Sequence, residues 1–126
     1  MKTLKNLIYA VALVITSSCN NNPFVITDNY VVYSEDEYGN GYYLVCKLGC
    51  DYDARIEYVK SIEWSKKYLF VQQEKPNQNS QWFIIKAKGN ELLCCGRDSL
   101  IGPFTVHEVN EYKSKNKITK LKEKKF

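Results

Sequence analysis

Long apolar runs are scarce in this chain of 126 residues. The longest, Leu7 to Ile15, has nine residues, about half of the roughly 20 that a bilayer-spanning helix needs. A permanent helical anchor is therefore not expected. Histidine occurs once, as His107. A general-base role would need a nucleophile and an orienting group beside it, whereas a helix surface is an ordinary place for a lone histidine. There is no C-x2-C pair, so a thiol redox motif is absent. The acidic loops Glu35-Asp36-Glu37 and Asp51-x-Asp53 lack the spacing and the turn glycine of a calcium loop. The lysine-rich end lacks the interleaved aromatics of a single-strand-binding groove, which argues against nucleic acid as a partner. No internal repeat is present.

The amino-terminal segment carries a pattern. Lys2 and Lys5 precede the apolar run, and Thr16-Ser17-Ser18 are small residues before Cys19. This is the layout of a secretory signal. Its small-small-Cys ending resembles the lipobox of bacterial lipoproteins. The resemblance implies cleavage before Cys19, a diacylglyceryl group on its thiol and a membrane-held protein in the cell envelope. Cleavage after Ser18 with release of a soluble protein is the alternative, and an ordinary amino-terminal helix is the plainest one. Asn20 to Pro23 then reads as a polar tether (residues 19–23), a poor former of helix or strand.

Without residues 1–18 the chain has 108 residues, enough for one domain that buries somewhat over roughly 60% of its unfolded surface. Charge is unevenly placed. Residues 20–111 hold nine Lys/Arg against 13 Asp/Glu, a balance of −4, while residues 112–126 hold seven Lys against one Glu, a balance of +6. The chain is an acidic domain with a basic end. Ten Tyr, five Phe and two Trp suit pleated strands, and such rings also serve as platforms for sugars.

Six strand-like runs follow one another: 24–34, 42–48, 55–64, 68–73, 81–87 and 91–95. Asn40-Gly41 is a hairpin signal. The hydrophobic phase slips at Lys60-Ser61, the mark of a β-bulge. Gly102-Pro103 reads as punctuation before a change of period. Thr105-x-x-Glu108 is a capping box, and Phe104 with Val109 forms a hydrophobic staple around it. Val106, Val109 and Tyr112 share a helical face. The fold expected is mainly β (α+β): a small antiparallel meander or half-open barrel of five to six strands with one short carboxy-terminal helix. The domain is placed at 24–114, with a separate lysine-rich tail at 115–126 that extends the helix or stays mobile.

Three segments together, GNGYYLV (39–45), VKSIEWSKKYLFVQQ (59–73) with QWFIIK (81–86), and IGPFTVHEV (101–109), resemble a family of small bacterial envelope lipoproteins that carry a domain of unknown function. The resemblance implies an envelope location and a compact β-rich domain. It implies no activity.

Four cysteines remain beside the lipid-attachment candidate Cys19: Cys46, Cys50, Cys94 and Cys95. An exported even set permits disulfides, with three complete pairings. In extended chain Cys46 and Cys50 stand about 13 Å apart, beyond bridging distance. A Cys94–Cys95 bridge needs a strained ring, and in a strand the two face opposite sides. Cross-pairing and free thiols stay open. A C-x3-C…C-C zinc site is disfavoured, since adjacent strand cysteines converge poorly on one ion. No catalytic residue, metal or cofactor is assigned. The expected function is that of a non-enzymatic interaction module, held at the membrane by its lipid and meeting an envelope protein or a wall component. An inhibitor or immunity lipoprotein against a wall-directed or pore-forming effector is the second class. An enzyme is the third. Lysines 113–125 can also lie along anionic lipid or wall polymer, weakening as salt screens them.

Overall fold

A computed structural model describes residues 23–35, 41–48 and 56–126. The signal segment, Cys19, Cys50, Asp36, Glu37, Asp51 and Asp53 lie outside the described residues.

The described residues form eight strands and one helix: β1 Phe24–Val25, β2 Tyr30–Glu35, β3 Gly41–Cys46, β4 Val59–Trp64, β5 Tyr68–Gln73, β6 Gln81–Ala87, β7 Asp98–Phe104, α1 Val106–Lys115 and β8 Lys122–Lys125. The protein is mainly β, as its aromatic and β-branched runs require. The strands make two antiparallel sheets rather than one meander. One has the order β1-β2-β3 and the other β7-β6-β5-β4-β8, and neither closes into a barrel among the described residues.

The five-stranded sheet is covered on both faces. Ile62, Leu69, Val71, Ile85 and Ala87 turn toward the small sheet and pack with Val32, Leu44 and Ile56. Phe70, Trp82 and Ile84 turn to the other face and pack with Val109 of α1, flanked by Tyr68, Phe104 and Tyr112. The expected bulge is present: the β4–β5 register shifts between Val59 and Ser61. It lets Val59 and Ile62 join one core although their separation is odd.

The capping box forms as read. The Thr105 hydroxyl accepts from the Glu108 amide at 3.2 Å, and the Thr105 amide donates to Glu108 Oε1 at 3.0 Å. Phe104 and Val109 belong to the same apolar cluster. The box satisfies two amides that a helix start leaves without partners. Thr105→Ala is expected to lower stability by about 0.5–2 kcal/mol and Thr105→Ser to restore most of it, read from urea midpoints. No measurable loss would mean that the cap contributes nothing.

Three expectations are corrected. The run Glu91 to Cys95 is a loop, with Cys94 and Cys95 both at φ 54°, a conformation that no strand holds. The Gly102-Pro103 stretch is not a break but part of β7, an edge strand, where a proline is tolerated. The β6–β7 register shifts between Trp82 and Ile84 opposite it. A Cβ at Gly102 would lie 2.8 Å from the Trp82 carbonyl oxygen, so only glycine allows this approach. The lysine-rich end is not a tail apart from the domain. After α1 it turns back, and Lys122–Lys125 pairs antiparallel with β4, Trp64 against Lys122 and Ser61 against Lys125. Lysines suit an edge strand, because their charge discourages pairing with another chain.

Candidate functional site

The junction of the two sheets is built around a disulfide and a carboxylate. Cys46 at the end of β3 is bonded to Cys94 in the β6–β7 loop, with 6.0 Å between their α-carbons. Beside it, the Asp98 carboxylate accepts the Tyr30 hydroxyl at 2.6 Å and the Cys94 amide at 2.7 Å. Asn29 Nδ2 donates to the Leu92 carbonyl at 3.1 Å. Side chains from the small sheet thus reach the loop that holds Cys94. Cys95 is disulfide-bonded too, and Cys19 and Cys50, the other two cysteines of the chain, lie outside the described residues. The sulfurs of Cys46, Cys94 and Cys95 lie within 4.8 Å of one another. A bonded sulfur is not a thiolate, and zinc is held by thiolates. The cluster is therefore a crosslink.

His107 lies on the exposed side of α1, with Nε2 2.8 Å from Glu111 Oε1. Among the described residues no hydrogen bond joins it to a cysteine or serine. On the buried side of the helix, Lys113 forms an ion pair with Glu63 of β4, and its ammonium lies 5.0 Å from the Phe70 ring centroid. Burial, then the charge and hydrogen bond of neighbouring Tyr68, pushes the Tyr112 phenol above its ordinary range. These groups dock the helix. No buried side-chain nitrogen or oxygen lacks a partner among the described residues.

Two clefts among the described residues are places where another molecule could sit. The first, of about 490 Å³, lies between the 26–29 loop and the approach to β8. Trp64 is in its wall, and Lys66, Lys120, Lys122, Asp28 and Glu91 surround it. Charges of both signs are exposed there.

The second cleft, of about 680 Å³, is different in chemistry. Tyr42, Tyr58 and Phe126 supply rings, and Asn77, Gln78 and Asn79 of the β5–β6 loop supply amides. Its Lys60 and Glu74 form an ion pair with each other. Tyr42 and Phe126 lie 5.0 Å apart between ring centroids. Phe126 continues to Phe24 at 5.7 Å, and Phe24 to Trp64 at 6.2 Å. An aromatic row therefore runs between the two clefts. Sequence reading missed this site. Phe126 follows the lysine-rich segment, and nothing local indicates that residue 126 will meet residue 42. The aromatic richness was visible, but not its placement.

The walls of the second cleft are fixed by hydrogen bonds behind them. Tyr58 sits at φ 56°, a region unfavourable for a bulky residue. Its carbonyl accepts from the Glu74 amide at 2.9 Å, and the Glu57 carbonyl accepts from Gln73 Nε2 at 2.9 Å. Gln81 Nε2 donates to Gln73 Oε1 at 2.6 Å. The chain of amides ties the Tyr58 segment to both ends of the 74–80 loop.

No family model matches this chain, and neither a curated protein nor a solved structure does.

Proposed function

We propose that this is an exported, lipid-tethered interaction module of the bacterial envelope, without catalytic activity of its own, whose recognition surface is the cleft of Tyr42, Tyr58 and Phe126. The observation that carries the reading is the built character of that cleft. Three rings and three side-chain amides line it together, and Tyr58, which supplies one of the rings, stands in an unfavourable backbone conformation in a segment that hydrogen bonds from Gln73 and Glu74 hold in place. Strain of this kind gathers at binding sites, where the surroundings over-determine it. The disulfide supports export, because such bonds persist in oxidising compartments. The signal-like segment and Cys19 supply the tether. The order of the GNGYYLV, SIEWSKKYLFVQQ and IGPFT segments supports a place among small envelope lipoproteins.

A photo-crosslinking amino acid in place of Asn77, in the cleft, is expected to give an adduct with an envelope component in intact cells. The same group in place of Asn110, on the exposed side of α1, is not. Cys19→Ala should release the protein from the membrane and abolish the Asn77 adduct. An adduct from both positions alike, or from neither, would overturn the reading, as would unchanged membrane retention of Cys19→Ala.

A further inference from the structure

We infer that the cleft of Tyr42, Tyr58 and Phe126 is a binding site for an uncharged oligosaccharide. The inference rests on the reading of that cleft as the recognition surface and adds the chemical class of what it holds. Net charge decides first. Lys60 and Glu74 neutralise each other in an ion pair, which leaves Lys75 as the single unpaired charged side chain in the wall among the described residues. The first cleft, in contrast, has five charged side chains around one ring. Among the described residues, a phosphate or carboxylate ligand would find only Lys75 to pair with in the second cleft.

The remaining groups suit a sugar. A pyranose has an apolar face of C–H bonds and a rim of hydroxyls. Rings of Tyr and Phe offer flat apolar surface, and Tyr42 is 37% exposed, with room for a ring to lie against it. Each hydroxyl of the rim donates one hydrogen bond and accepts others. An Asn or Gln side chain is the matching partner, since it presents two N–H donors beside a carbonyl acceptor. Three such side chains, Asn77, Gln78 and Asn79, follow one another on the loop facing the rings. None of them makes a side-chain hydrogen bond to the described residues, whereas Gln72, Gln73 and Gln81 nearby are all engaged. The split is functional in form: the inner glutamines hold the loop, and the outer amides stay open to a ligand. A volume of about 680 Å³ falls in the range of small-molecule sites. A peptide that adds a strand is recognised through its backbone at a sheet edge, and a polyproline peptide sets its prolines between aromatic rings without needing a row of amides. Here the polar groups offered are side-chain amides on a loop, which favours the sugar.

The test uses the full chain in detergent, titrated calorimetrically with chitotetraose, with cellotetraose and with an uncharged tetrapeptide. At least one of the two sugars is expected to bind with a Kd near or below about 1 mM, the peptide far more weakly. Two variants place the site. Tyr58→Gly removes the platform at a position whose backbone glycine adopts freely, so folding is preserved. Gln78→Ala removes an exposed amide that supports nothing else. Each should weaken sugar binding by at least about tenfold, while Lys88→Ala, outside both clefts, leaves it unchanged. Binding of neither sugar, binding that both variants leave intact, or preference for the peptide would overturn the inference. If the sugars fail and the Asn77 crosslink still forms, the glycan assignment falls and the interaction module stands. If both fail, the cleft is not the recognition surface.

Discussion

Replacing Cys46 and Cys94 together by alanine is expected to lower stability by up to about 4 kcal/mol, and by less where the disulfide at Cys95 still constrains the unfolded chain. The bridge joins residues 48 apart in sequence, and the chain-entropy relation for a loop of that length gives about 4 kcal/mol at room temperature. The double substitution is the right comparison, because neither sulfur is then left as an unpaired thiol beside Cys95. Reduction would be less informative, since Cys95 is itself disulfide-bonded and would open as well. The effect should be uneven. Without the bridge, the small sheet stays attached to the 92–98 loop through Tyr30–Asp98 and Asn29–Leu92 and through the apolar core between the sheets. Amides of β2 and β3 should therefore lose hydrogen-exchange protection first, while those of β5 and β6 keep theirs longer. A domain of this size has about 5–15 kcal/mol in total, so the loss would consume a large share of it. A change below about 1 kcal/mol, with protection unaltered across β2 and β3, would show that the Cys46–Cys94 bridge adds little to what the Cys95 disulfide and the packing between the sheets already hold.

Local chemistry was legible in the sequence, and distant pairing was not. The capping box at Thr105 and Glu108, the staple at Phe104 and Val109 and the phase slip at Lys60-Ser61 all depend on residues within a few positions of one another, and all three are present. The cores of β3, β4, β5 and β6 also matched their apolar runs. The strand β8 shows why the rest was hidden. Its four residues, Lys-Glu-Lys-Lys, are all exposed and carry no apolar alternation. Only its partner β4, some sixty positions earlier, gives it a reason to be extended. Likewise Gly102-Pro103 reads as a break in sequence. An edge strand with a register shift accommodates both. In the 91–95 run, apolar content suggested a strand. The Asp98 carboxylate instead captures the amides of Leu93 and Cys94, and a loop results.

The candidate site follows the same rule. Its amides come from a loop that the sequence marks clearly, with Pro76-Asn77 at its turn. Its rings come from β3, from the residue before β4 and from Phe126. Three separate segments meet only because β8 returns to the edge of the large sheet. Composition could announce surplus aromatics. It could not say that Trp64, Phe24, Phe126 and Tyr42 would form one row.

Leu69→Ala and Phe70→Ala, at adjacent positions of one strand, are both expected to be severe, about 2–5 and 3–5 kcal/mol respectively. Neighbours in a strand point to opposite faces, so a sheet with one wet face would tolerate one of the two changes. Here Leu69, Phe70 and Val71 are each fully buried, with 0% exposure. The reason is that the small sheet covers one face and α1 the other. The two losses should differ in what they loosen. Leu69→Ala opens space between the sheets and should lower hydrogen-exchange protection in β2 and β3. Phe70→Ala removes the ring that Tyr68 stacks on, that Tyr112 meets edge-on and that lies under the Lys113 ammonium, and should loosen α1 first. Because either variant takes much of the total stability, Leu69→Met and Phe70→Leu serve as milder companions; about 1.5 kcal/mol or less is expected for the first as a near-isosteric swap, with the same split in exchange. Urea denaturation gives the magnitudes. If Phe70→Ala lost less than about 1 kcal/mol, α1 would not be packed on the sheet. If both variants loosened the same elements, the two faces would be one core, and the three-layer arrangement would be wrong.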